Sequence, residues 1–520
     1  MGPHAISAAP RRARWLSVLL STMLLLIMGM AQIARADEEM ERRIGELGGT
    51  LDAYVDAAMK SFDNPGLVLG IVTGDTLHFA KGYGVGRKGG DPVDQGTVFQ
   101  IGSTTKAFLA TTMAIAADRG RLEWDARVVD LDPDFQMRDS WVTSGFRVFD
   151  LLAQRSGLLP YANDILGMLG VDQAGMVRAM RFAEPVSSFR STFAYTNVTH
   201  MLAQRIVARQ FGEADWNTVL QKEIFDPLGM RDSSVTADAI EAAVNRSWGH
   251  RWTPEGTVEV PFTPIFPYGF GAAGAINSTV QDLARWVRLH LAGGMFEGKR
   301  LVSAENLAVT KTPRIGITDR VAYAMGWVIQ DTPNGRIVWH NGGTLSYGAY
   351  IGMVPDRDVG VIVLTNEANI GLPDAVGEWL LDRLLGNAEV DHAANKLKAV
   401  LAAVATARSA AAVAPQPPTT LGPLAGDYVN DSFGEAKVME DGGGLLLEIS
   451  ATGAKLKLAD RGGQAFDVTL LPEGRFAAVA ENMGPEPFGL VQFEAAMSGG
   501  VGGFTLAAGD NQQKYRFTRP

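Results

Sequence analysis

Gly102-Ser103-Thr104-Thr105-Lys106 stands at the head of the first strong helical pattern in the chain. A serine there has unpaired helix N–H groups nearby and a favourable dipole. The i to i+3 spacing puts Lys106 on the same helix face as Ser103. If both are buried in a cleft, desolvation lowers the lysine pKa, and the amine can take the serine proton. In isolation such a pair also fits an N-capping serine with an exposed lysine one turn later. A second group, Tyr195-Thr196-Asn197, precedes a helical pattern through Leu202, Ile206 and Val207. A phenol can pass a proton to a leaving group, and an amide can orient a substrate amide. The plainer alternative is a core tyrosine and an N-capping asparagine. A third group, Trp339-His340-Asn341-Gly342-Gly343, joins two apolar strand-like runs. His340 would set positive or hydrogen-bonding character beside a nucleophile, and the glycines would let substrate approach the backbone. Its alternative is a glycine turn with a surface histidine.

Composition excludes other chemistries. The 520 residues contain no cysteine, which removes disulfides, thiol catalysis and thiolate metal sites. The seven histidines show no zinc-ligand spacing and no H-E-x-x-H. No metal or cofactor is therefore expected. Formal net charge is −10, without a basic stripe, which argues against a nucleic-acid partner. Apolar residues make up 46% and charged residues 20%, enough for a large buried core.

The elements that must position these residues follow from periodicity. Leu67–Val72 and Thr76–Ala80 read as strands joined by a turn at Thr73-Gly74-Asp75. A helix is expected from Ser103 to about Arg119, closed by Gly120. Ser278-Thr279-Val280-Gln281 reads as a capping box opening a helix through Leu283, Trp286, Val287 and Leu291. Val359–Leu364 reads as a buried strand. Strands at both ends with helices between them imply an α/β sandwich whose sheet joins early and late segments.

Four regions are expected. Residues 1–36 read as an export signal: Arg11, Arg12 and Arg14, an apolar Trp15–Ile33 stretch, and Ala34-Arg35-Ala36 before the cut. An uncleaved anchor is the alternative, and only through it would the chain meet a membrane. Either way the body lies outside the cytoplasm, with the periplasm expected. Residues 37–390 form the main mixed domain. Residues 391–420 read as a helix running into a Pro-rich linker, Pro415-Gln416-Pro417-Pro418. Residues 421–520 alternate short β-type runs with glycine turns, as in Leu445–Ile449, and imply a small all-β barrel or sandwich.

Together the three groups resemble the catalytic motifs of serine β-lactamases and penicillin-binding proteins: S-x-x-K, Y-x-N and a K/H-x-G strand. Their order and gaps resemble the class C branch. Flanking segments add to the likeness: Asp150-Leu151-Leu152-Ala153-Gln154-Arg155-Ser156-Gly157-Leu158, Pro227-Leu228-Gly229-Met230, Ala273-Gly274-Ala275-Ile276-Asn277-Ser278-Thr279 and Val363-Leu364-Thr365-Asn366. The likeness covers roughly residues 45 to 385. It implies a β-lactamase-like α/β sandwich with an all-helical insertion, followed by the small C-terminal barrel.

The resemblance also implies roles. Ser103 would form the acyl-enzyme, with Lys106 and Tyr195 sharing general-base and general-acid work. Asn197 would bind the acyl-side amide. His340 would replace the lysine of K-T-G as a substrate-binding group, and Gly342 would keep the strand open. The backbone N–H groups of Ser103 and Gly343 would form the oxyanion hole. Two departures stand out. A charged lysine suits the carboxylate of penicillins, whereas histidine is often neutral near pH 7. H-x-G therefore points to the D-amino-acid peptidase, amidase or esterase relatives, acting on a small molecule or short peptide. A β-lactamase, a D,D-carboxypeptidase or a non-catalytic sensor are the alternatives. Gln154 stands where the family usually has histidine, and it reads as a structural variation.

Overall fold

The computed structural model describes residues 38–74, 76–411, 419–496, 500–509 and 512–520. The expected export signal and most of the Pro-rich linker lie outside them. No helix among the described residues is long and apolar enough to cross a membrane.

A first helix, α1, runs over residues 38–62 and leads into a central eight-stranded sheet. In chain order its strands are β1 (Gly66–Thr73), β2 (Thr76–Gly84), β3 (Ile315–Gly316), β4 (Val321–Tyr323), β5 (Val328–Thr332), β6 (Gly335–Gly343), β7 (Gly348–Val354) and β8 (Val359–Thr365). They lie side by side in the order β2-β1-β8-β7-β6-β5-β4-β3, antiparallel throughout. β1 pairs with β8 in the register Leu67↔Thr365 to Thr73↔Val359, so the sheet does join the two ends of the domain.

Both faces of that pair are covered, which is why β1 and β8 read as unbroken apolar runs. Leu67, Leu69, Ile71, Val359, Val361 and Val363 pack toward α1 and α6 (Leu372–Leu385). Val68, Val72, Ile362 and Leu364 face the opposite core, with α5 (Val280–Leu291). Gly70 and Gly360 leave room there for Val280 and Val287 of α5.

The helical insertion holds α2 (Thr105–Asp118), α3 (Asp164–Met168) and α4 (Val198–Phe211). It is not helical throughout. Phe99–Gln100 pairs with Asn277–Ser278, and His250–Arg251 with Val258–Glu259. The first of these pairings moves the expected cap of α5. Ser278 is drawn into the two-residue strand, and Thr279 becomes the N-cap, accepting from the Asp282 N–H at 3.2 Å. The Asp282 carboxylate instead accepts from the Asp232 N–H and the Ser233 hydroxyl, both at 2.9 Å.

After α7 (His392–Ala411) comes a closed barrel of β9 (Gly426–Asn430), β10 (Gly434–Asp441), β11 (Gly444–Ile449), β12 (Ala454–Gly462), β13 (Ala465–Leu470), β14 (Gly489–Ala495), β15 (Val501–Ala508) and β16 (Gln513–Thr518). Alternate residues such as Leu445, Leu447, Ile449, Phe466, Val468, Phe504 and Phe517 fill its interior. The barrel is not all strand, because α8 (Ala477–Met483) links β13 to β14. It docks on the insertion. Asn482 Nδ2 donates to the Pro261 carbonyl (2.7 Å), and Gln513 reaches Asn163.

Candidate active site

Ser103 does not cap a helix. It sits in a 3-10 turn, Gly102–Thr104, that precedes α2. The turn is possible because Gly102 adopts φ +51°. It also lies hard against β6: a Cβ on Gly102 would come within 2.7 Å of the Gly343 nitrogen. The Gly343 amide is thereby held beside the serine, where the resemblance puts the oxyanion hole.

Gly342 has a different neighbour from the one expected. A Cβ there would lie 1.9 Å from the Ile101 carbonyl oxygen. The missing side chain admits the nucleophile's own segment rather than substrate. Gly342→Ala is therefore expected to cost about 1–3 kcal/mol, read as a lower urea midpoint, and to lower turnover as β6 is pushed from Ser103.

Lys106 is wholly buried and one turn beyond the serine. Its Nζ donates to Ser103 Oγ (3.0 Å), Asn197 Oδ1 (2.7 Å) and the Ala273 carbonyl (2.7 Å). Burial drives its pKa from 10.5 down to about 7, with the Asp164 carboxylate pulling the other way. A neutral amine keeps two N–H donors and one lone pair. The amide oxygen of Asn197 and the carbonyl of Ala273 can take the two hydrogens, which turns the lone pair toward the Ser103 hydroxyl.

Asn197 is at the N-cap position of α4, yet its side chain makes no capping bond. It spans from Lys106 to Asp164, donating from Nδ2 to Asp164 Oδ2 at 2.6 Å. Gln154 holds this segment from behind, accepting from the Thr196 N–H (2.6 Å) and donating to the Thr196 carbonyl (3.1 Å).

The Tyr195 ring lies under Lys106, with Nζ 4.8 Å from its centroid. Its buried hydroxyl makes no regular hydrogen bond, although Ser103 is near enough to favour the phenolate slightly. Burial outweighs that influence and pushes the phenol well above its ordinary range, so it stays protonated.

His340 is 2% exposed and stands behind Tyr195, with the two rings 6.1 Å apart. Both ring nitrogens are engaged, Nε2 with the Tyr323 hydroxyl (3.0 Å) and Nδ1 with the Asn341 carbonyl. Burial drives its pKa down to about 3, which leaves it neutral. Residues 339–343 are strand rather than turn, paired with β7 from Trp339↔Gly352 to Gly343↔Gly348. His340 is thus neither a surface histidine nor a residue of the cavity wall.

The cavity over Ser103 holds about 750 Å³. Tyr195, Asn197, Asn341 and Gly343 reach it, with Asp164 and Asn369. Asn341 donates from Nδ2 to Asp374 Oδ1 (2.7 Å). Asn369 Nδ2 supports the strand at the Gly342 carbonyl (3.0 Å) and also meets Asp374. The walls are apolar: Tyr161, Ile165, Met168, Phe193, Phe266 and Phe270 from the main domain, Met483 and Phe488 from the barrel. Among the described residues that line it, the charged ones are Asp164 and Glu486.

Sequence reasoning missed Asp164, Asn341, Asn369 and Glu486. Asn341 differs from His340 by one step of the two-residue strand period, but no apolar–polar alternation says which of the two faces the cleft. The others depend on loop packing. Among the described residues no group of histidine and carboxylate side chains could hold a metal ion.

Comparison with known proteins identifies the family. The family model described as Beta-lactamase matches residues 51–385. The chain is 26% identical to the unguisins hydrolase ungD of Aspergillus violaceofuscus, over 79% of this chain and 80% of that one. It is 28% identical to penicillin-binding protein 4 of Amycolatopsis lactamdurans, over 72% and 95%. The solved octameric penicillin-binding protein homologue from Pyrococcus abyssi shares the fold, with a TM-score of 0.58 at 22% identity over 91% of this chain and 99% of that one. The chain belongs to the beta-lactamase family and is a serine hydrolase.

Proposed function

We propose that this hydrolase cleaves amide or ester bonds through an acyl-enzyme on Ser103, acting on short D-amino-acid peptides, amides or small esters. The observation that carries the reading is the contact of Ser103 with a buried Lys106 whose pKa lies near 7, at the floor of an aromatic cavity. Neutral Lys106 takes the Ser103 proton as Oγ attacks the carbonyl carbon. The Ser103 and Gly343 N–H groups face the developing oxyanion. Tyr195, still protonated, gives its proton to the leaving amine or alkoxide. Lys106 then restores the Tyr195 proton, and the same groups activate water for deacylation. His340 acts through Tyr195 and Tyr323, not on substrate.

Charge in the cavity supports the choice of substrate class. A penicillin or a C-terminal D-alanine brings a carboxylate, and neither charged lining side chain is cationic. His340 stays neutral and behind the wall. Neutral or amine-bearing substrates fit, and the apolar walls suit bulky hydrophobic groups. The reading includes the export expected from residues 1–36.

The test is a fluorophosphonate reaction followed by intact mass and peptide mapping, beside turnover of p-nitrophenyl esters, D-alanyl anilides and a chromogenic cephalosporin. A single adduct on Ser103 with ester or anilide turnover well above cephalosporin turnover is expected. A ratio that favours the cephalosporin overturns the substrate class. Failure to label Ser103 overturns the acyl-enzyme.

A further inference from the structure

The barrel touches the catalytic groups by a route that the motifs do not contain. Gln513, the first residue of β16, makes two hydrogen bonds to one residue of the insertion. Its Oε1 accepts from the Asn163 N–H (2.7 Å), and its Nε2 donates to Asn163 Oδ1 (3.1 Å). Asn163 has a left-handed backbone at φ +68°, a conformation asparagine tolerates, and Gln513 holds the turn it makes. Its Nδ2 donates in turn to the Met176 carbonyl (3.2 Å), which ties the turn to the insertion core. The next residue is Asp164, whose Oδ2 takes the Asn197 amide at 2.6 Å. Asn197 then meets Lys106, and Lys106 meets Ser103. An amide offers both a donor and an acceptor end. With its NH₂ fixed by Asp164, Asn197 must turn its oxygen to Lys106.

We propose that the C-terminal barrel is a working part of the hydrolytic site, in which Gln513 clasps Asn163 so that Asp164 fixes Asn197 against Lys106. This rests on the acyl-enzyme reading above. Asp164 and Gln513 are positioning residues, acting through Asn197 and Asn163. The titratable groups around Lys106 are Asp164, Tyr195, His200 and His340. Burial keeps the phenol and both imidazoles uncharged. Among the described residues, Asp164 is therefore the carboxylate whose charge acts on Lys106. It favours the protonated amine and so raises, against the larger effect of burial, the pH at which the base becomes available.

The experiment compares kcat/KM against pH for the full chain and for Asp164→Asn, Asp164→Glu and Gln513→Met. Removing the negative charge disfavours protonated Lys106, so the acidic limb of the Asp164→Asn profile should move to lower pH, by about half a unit or more. Its plateau should fall about tenfold as Asn197 loses its anchor. Asp164→Glu should keep the limb near its original place. Gln513→Met should move the limb the same way by less, with thermal unfolding close to that of the parent. If Asp164→Asn fails to fold, Gln513→Met carries the test from the barrel rim. Limbs that coincide with the parent's, while fluorophosphonate still labels Ser103, overturn this inference alone. Loss of the Ser103 label in the parent overturns the acyl-enzyme reading and this inference with it.

Discussion

Ester turnover by the Ser103→Ala variant is expected to fall by a factor on the order of 10⁴ to 10⁶, with the far-ultraviolet spectrum and melting temperature close to the parent's. The size follows from the lost covalent route. Without Oγ the N–H groups proposed as oxyanion donors at residues 103 and 343 remain, and they alone sustain only a small residual rate. The mildness of the structural effect follows from the site. Ser103 lies in a turn held by Gly102 against β6, and its hydroxyl caps no helix. The variant should also lose the fluorophosphonate adduct entirely. Retention of more than a trace of turnover, with the adduct found on another serine, would sink the assignment.

Lys106→Ala is expected to lose about 10²- to 10⁴-fold in kcat/KM, the range of a positioned general base. The pH profile of the parent gives the sharper measure. Lys106 must be uncharged to accept the serine proton, and burial places its pKa at about 7. Below that value protonated lysine dominates, so kcat/KM should rise about tenfold per pH unit and level off above it. Lys106→Arg keeps a cation of similar length that cannot shed its proton in this range. It should therefore stay inactive at every pH tested. A rising limb near pH 7 in the arginine variant would show that another group titrates there.

Much of this site was legible in the chain, and the limits are instructive. Ser103 and Lys106 are betrayed by their i to i+3 spacing at a helix start, whereas Tyr195 and Asn197, two apart and ahead of α4, stand out only through the family resemblance. The apolar run of β8 likewise disclosed a buried strand, and the structure adds that it is covered on both faces. The third motif disclosed its strand but not its phase. Trp339, His340 and Asn341 carry no clean apolar–polar alternation, so nothing local says which one faces the cleft. Packing against Tyr195 and Tyr323 turns His340 inward and leaves Asn341 to the cavity. The cap of α5 shifted by one residue because Ser278 found a strand partner in Phe99. Asp164 and Gln513 carry no local signature at all. Their roles exist only once the barrel has met the insertion, across 350 positions between Asn163 and Gln513.

The order of strands in the central sheet has a consequence for how the protein comes into being. β1 is laid down early, but its neighbour β8 is the last strand of the domain to be synthesised, with Leu67 waiting for Thr365. Ser103 likewise precedes Gly343, whose amide the turn at Gly102 lies against. The barrel differs: its strands pair with their successors, and one closing contact, Val429 with Thr518, completes it. Contacts between distant segments form slowly, because a long loop must close first. The sheet closes over a far longer loop than any barrel pairing, although all of its strands are synthesised before the first barrel residue. A growing chain that ends before Val359 lacks the strand that joins β1 to β7, so the sheet that places Gly343 beside Ser103 is still open.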